Sequence, residues 1–105
     1  MIFEIIIYET SSGKKPYIEW FRKLKDFQVK ALIVERLDRI TMGNFGDIEP
    51  VGDGVSELRI HFGPGHRLYI AKKRTKIFVL LCAGTKSTQQ KDIERAKKYL
   101  ADWSD

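Results

Sequence analysis

The chain holds one cysteine, three prolines and two histidines in 105 residues, and each scarcity excludes something. A lone Cys82 forms no internal disulfide, so the fold needs its own apolar core. Cys82 lies inside an apolar run and reads as a core residue of a protein in a reducing cytoplasm. The longest apolar run, Ile77 to Ala83, is far below the roughly 20 residues that span a bilayer, so no membrane partner is expected. The start, Ile2-Phe3-Glu4-Ile5-Ile6-Ile7, lacks a basic leader and a small-residue cleavage site, and reads as a strand rather than a signal peptide. Two histidines without companion cysteines or carboxylate pairs give no metal site, and no cofactor is expected. With 43% apolar residues and no repeat or linker, the chain is expected to fold as a single domain over 1–105.

Positive charge is abundant but uneven. The net charge is +5, yet residues 1–56 carry 8 Lys and Arg against 9 Asp and Glu, and residues 57–105 carry 11 against 5. Between Glu57 and Lys91 stand Arg59, Arg67, Lys72, Lys73, Arg74, Lys76, Lys86 and Lys91, with Glu57 the one acidic residue. Such a block attracts a polyanion, although a solvated basic surface has the same composition.

The periodicities predict a strand over 2–8, then a turn at Thr10-Ser11-Ser12-Gly13. A short helix begins at Pro16 with an apolar stripe of Tyr17, Trp20, Phe21 and Leu24. Asp26 caps a second helix with Val29, Leu32, Ile33, Leu37 and Ile40 inward, and Gly43 ends it. The glycine-rich segment 44–54 reads as loop. From Val55 the period becomes two: a strand to Phe62, the turn Gly63-Pro64-Gly65, and a strand from His66 to Lys73. A hairpin at Arg74-Thr75 then leads into a strand apolar on both faces. Ser87 and Gln90 match a capping box ahead of a last helix bearing Ile93, Ala96 and Leu100. The expected fold is α+β, in the order β-α-α-β-β-β-α. Its sheet is twisted and mostly antiparallel, with helices packed on one face.

With Leu58, Ile60, Leu68 and Ile70 under the helices, alternation turns Arg59, His61, Arg67 and Tyr69 to the opposite face, and Lys86 leaves the next strand toward them. A cationic face with aromatic content grips phosphates and stacks bases. Each member also has a structural use: Arg67 can pair with Glu57 across the hairpin, and Tyr69 can pack beside Arg59. His66 points inward and reads as structural. The chemistry left open is metal-free cleavage of RNA by its own 2′-OH. Histidine is the side chain suited to proton transfer at physiological pH, which makes His61 the candidate acid or base, and Arg59, Arg67 and Lys86 supply charge. Arg67→Ala is expected to abolish that activity without disturbing the fold.

The stretch from Glu57 through Tyr69, with its L-R-I strand and glycine turn into His-Arg, resembles the RelE/ParE superfamily of toxins. So does Ile77 to Ile93, ending Gly84-Thr85-Lys86 and Gln89-Gln90-Lys91-Asp92-Ile93. The HigB-like "addiction module killer protein" branch is the most similar. This resemblance implies a RelE-like fold and the toxin of a type II toxin–antitoxin system, an endoribonuclease (mRNA interferase) that cuts mRNA in the ribosomal A site and inhibits translation. An adjacently encoded antitoxin would restrain it. It assigns catalysis to Arg59, His61, Arg67 and Lys86, with Asp92 a possible accessory residue near the position where some relatives carry a Tyr or an acidic residue. Tyr69, Lys72, Lys73, Arg74 and Lys91 are the candidate RNA contacts. A ParE-type gyrase inhibitor, which cleaves nothing and generally lacks the basic constellation, and an inactive nucleic-acid-binding module are the competing functions.

Overall fold

The computed structural model describes residues 2–103, which fold into five strands, three α-helices and one 3₁₀ turn. The elements are β1 (Glu4–Ile7), α1 (Pro16–Lys23), α2 (Phe27–Thr41), β2 (Ile48–Gly52), β3 (Val55–Ile60), β4 (His66–Arg74), β5 (Ile77–Thr85) and α3 (Gln89–Asp102). The 3₁₀ turn, Lys86–Thr88, joins β5 to α3. Local chemistry sets the early boundaries. Pro16 opens α1. Asp26 caps α2, its carboxylate accepting from the backbone N–H groups of Gln28 at 2.9 Å and Val29 at 3.4 Å. Gly43, at φ +86°, takes the chain out of the helix.

The segment expected as a loop contains β2, so the order is β-α-α-β-β-β-β-α. Asp53-Gly54 joins β2 to β3, with φ of 54° and 83°. Positive φ at both central residues is the geometry of the hairpin turn that matches strand twist. Pro50 has no N–H to offer, and β2 tolerates it because it is an edge strand. The next turn falls at Thr75-Lys76, one residue later than expected, since Arg74 pairs with Ile77.

The sheet order is β1-β5-β4-β3-β2. Three of the pairings are antiparallel and one, β1 with β5, is parallel, so the sheet is mixed but mostly antiparallel. The expectation of helices on one face is corrected. Leu58, Ile60, Leu68, Ile70, Phe78 and Leu80 pack with Tyr17 of α1 and Val29, Ile33 and Ile40 of α2. Val55, Tyr69, Ala71, Val79 and Leu81 pack with Ala96, Ile93, Tyr99 and Leu100 of α3. The cause is β4 and β5, which carry large apolar side chains on both faces and need two covers. Among the described residues no helix is long and apolar enough to cross a membrane.

If both faces are core, their truncations should be equally damaging. Leu81→Ala beneath α3 and Ile33→Ala in α2, both fully buried, are each expected to lower stability by about 2–5 kcal/mol in denaturant unfolding. A loss below about 1 kcal/mol for Leu81→Ala would mean that α3 does not seal its face.

Candidate functional site

Strand phasing brings Arg59, His61, Arg67 and Lys86 to one end of the sheet. Arg59 of β3 and Arg67 of β4 are direct cross-strand partners, and Arg67 is in turn opposite Gly84 of β5. His61 continues from β3 and Lys86 from β5 at that same end. Both border a shallow pocket completed by Phe62, Gly63, Pro64 and Gly65.

The guanidiniums do not stand free. Glu57, fully buried on β3, accepts from Arg59 Nε at 3.0 Å and from Arg67 at 2.8 Å on one carboxylate oxygen. Its other oxygen accepts from the Tyr69 hydroxyl at 3.2 Å and from Gln89 Nε2 at 2.9 Å. Tyr69, a candidate base-stacking residue, is fully buried under α3. Burial, and then the neighbouring Glu57 charge, push its phenol well above the ordinary value, so it stays a neutral donor.

A second set of carboxylates comes from the segment read as loop. Glu49 of β2 pairs with Arg59. Asp47, just before β2, lies 3.9 Å from Arg59 and 2.6 Å from His61 Nε2. The Asp47 carboxyl is held below the ordinary aspartate value, chiefly by the His61 hydrogen bond. This loop is pinned by Arg36 of α2, a buried arginine absent from the sequence-based site. Arg36 donates to the carbonyls of Phe45 (3.0 and 3.2 Å), Asp47 (2.6 Å) and Arg59 (2.6 Å). Its signal in the sequence is position: Val29, Ile33, Arg36 and Ile40 share one buried stripe.

The remaining candidates divide. Lys86 is exposed in the 3₁₀ turn, its backbone N–H bonded to Gly65 O at 3.2 Å, and it makes no ion pair among the described residues. Lys91 is exposed on the first turn of α3. Lys72, Lys73 and Arg74 occupy the far end of β4, roughly 20 Å from Arg67 at 3.3 Å per residue, so they are not brought to the site. Lys72 lies over the Phe3 ring and Lys73 over the Trp103 ring. Asp92 is buried and accepts from Thr88 Oγ1 at 2.5 Å and from Arg95 at 2.7 Å, a structural setting that leaves no room for substrate. The capping box uses Thr85 and Thr88, not Ser87 and Gln90. Cys82 is buried, and burial pushes its thiol up to about 12, which disqualifies it as a nucleophile. His66 is buried, with its ring edge against Trp20. Among the described residues no group of three or more His, Cys, Asp or Glu is placed to hold a metal ion.

Comparison with known proteins finds no matching family model. An uncharacterized protein of Haemophilus influenzae (strain ATCC 51907 / DSM 11121 / KW20 / Rd) is 50% identical over 78 residues, which is 74% of this chain and 79% of the relative. The chain belongs to that protein's family.

The Glu57 geometry overturns the expectation that Arg67→Ala leaves the fold intact. Arg67 is mostly buried, and its removal takes one of two cations from a buried carboxylate. A loss of about 1–3 kcal/mol is expected, and Glu57→Gln should recover part of it in the double variant. Urea unfolding of the single and double variants checks this; an Arg67→Ala protein as stable as wild type would contradict it.

Proposed function

We propose that this chain is a RelE-like toxin of the HigB-like branch, the toxin of a type II toxin–antitoxin pair acting in the cytoplasm. In this reading it is a metal-independent endoribonuclease that cuts mRNA on the ribosome, and an antitoxin encoded beside it holds it in check. The observation that carries the reading is the convergence of Arg59, His61, Arg67 and Lys86, from three strands, on one open sheet end.

The chemistry suited to that end is attack of a ribose 2′-OH on the adjacent phosphate. The O2′–P bond forms and the O5′–P bond breaks. His61 is exposed beside the pocket and is the group able to take the hydroxyl proton. Lys86 faces the same pocket and supplies the cation not already committed to a carboxylate. Arg59 and Arg67 stand behind them as charge already shared with carboxylates, Arg59 with Asp47, Glu49 and Glu57, and Arg67 with Glu57. Together they stabilise the extra negative charge of the phosphorane.

A second reading draws on the same ion pairs. Asp47, Glu49 and Glu57 neutralise much of the arginine charge, which suits a ParE-type toxin that inhibits gyrase through protein contact and cuts nothing.

Induced expression separates the readings when growth, 5′ ends of ribosome-bound messages and plasmid supercoiling are followed together. The nuclease reading expects growth arrest with new 5′ ends at translated codons. His61→Ala or Lys86→Ala, both exposed and harmless to the fold, should reduce cleavage by about 10²-fold or more. Supercoiling loss with intact messages would instead support the gyrase reading, and the absence of any arrest would leave an inactive nucleic-acid-binding module.

A further inference from the structure

Resting on the nuclease reading, the surroundings of His61 assign a role to a residue outside the expected site. His61 has a highly exposed side chain, and the Asp47 side chain is 42% exposed. An exposed pair alone is a weak anchor, because two mobile side chains must be held in one geometry against water. Here one partner is immobilised from behind. The Asp47 carbonyl accepts from Arg36 at 2.6 Å and from the Arg59 backbone N–H at 3.0 Å. The same Arg36 holds Phe45 and Arg59. Gly46 between them has φ +64°, and a Cβ there would sit 3.0 Å from Arg36 Nε, so the loop is folded tightly over the guanidinium. The backbone of Asp47 therefore has little freedom, and its carboxylate meets His61 Nε2 at 2.6 Å.

We propose that Asp47, clamped by Arg36, is the positioning residue of His61: it holds the imidazole through Nε2 and reserves Nδ1 for proton transfer with the RNA. A base oriented by a third group is the recurrent arrangement in proton-transfer sites. The 2′-OH gives its proton to Nδ1 as the O2′–P bond forms and the O5′–P bond breaks. The departing O5′ takes a proton from solvent, and the imidazolium returns its own to solvent. The Asp47 carboxylate offsets the positive charge on the ring while it lasts. The other charges near His61 are Arg59, which shares Asp47, Glu49 behind Arg59, and Lys86 across the pocket.

The pairing requires ionised Asp47. A carboxyl held below its ordinary value stays ionised at and above the usual aspartate range, and the contact is lost only as pH falls through that lowered value. The test is a ¹³C NMR titration of the Asp47 carboxylate in the full chain, with cleavage kinetics on ribosome-bound message. In wild type the Asp47 midpoint should lie below that of an ordinary aspartate, and in His61→Ala and in Arg36→Lys it should move up. Asp47→Asn should lower kcat about tenfold or more, within the range of acid–base catalysis, with KM unchanged and partial rescue by Asp47→Glu. Should Arg36→Lys not fold, the exposed His61→Ala variant decides the titration by itself. A depressed, His61-dependent midpoint in a protein that cuts nothing keeps the pairing and removes the nuclease reading. An ordinary midpoint unmoved by His61→Ala, or a wild-type kcat in Asp47→Asn, overturns the proposal.

Discussion

One buried carboxylate organises the sheet end. Glu57 has no exposed surface and meets four donors from three elements: Arg59 beside it on β3, Arg67 and Tyr69 across on β4, and Gln89 at the start of α3. A carboxylate withdrawn from water is tolerable only when its lone pairs are answered, and here they are. The partners in turn fix β3, β4 and the N-terminus of α3 against one another. Arg59 and Arg67 are thereby held with ordered planes at the border between core and solvent. The orientation of any cationic surface at this end descends from that one side chain.

Arg36 plays the complementary part on the other face. It is a buried cation that donates to three backbone carbonyls, and it ties α2 to the segment before β2 and to the end of β3. Between them, Glu57 and Arg36 determine where Arg59, Asp47 and His61 sit. The charge asymmetry of the chain then acquires a structural meaning. The acidic first half sends Asp47 and Glu49 over to Arg59 and His61 of the basic second half, so the site is a balanced network rather than a bare positive patch.

Much of this was legible in the residues. Strict alternation from Leu58 to Ile70 placed the aliphatic side chains under α1 and α2 and the polar ones opposite, and Asp26, Pro16 and Gly43 marked helix ends through chemistry that acts within a turn. What escaped was mostly non-local. Pro50 and the surrounding glycines hid β2, although Asp53-Gly54 is itself a strong hairpin signal. The apolar character of β5 on both faces is plain in the sequence, but its consequence, a second helical cover that buries Tyr69, depends on where α3 packs. Arg36 sat in plain view on the buried stripe of α2, but a charge at such a position becomes intelligible only once the carbonyls that receive it are in place. The pairing of Arg67 with Glu57 was available from register alone. That this pairing recruits Arg59, Tyr69 and Gln89 as well depends on three elements meeting.

The central claim is that RNA is engaged at the end of the sheet where His61 and Lys86 flank the glycine turn. Backbone amide shifts recorded by NMR during titration with a non-cleavable 2′-O-methyl oligoribonucleotide test it most directly. The account predicts perturbations concentrated at His61, across Gly63 to Arg67, and at Lys86. Perturbations confined to the Lys72–Arg74 end of β4, or to α2, would contradict it.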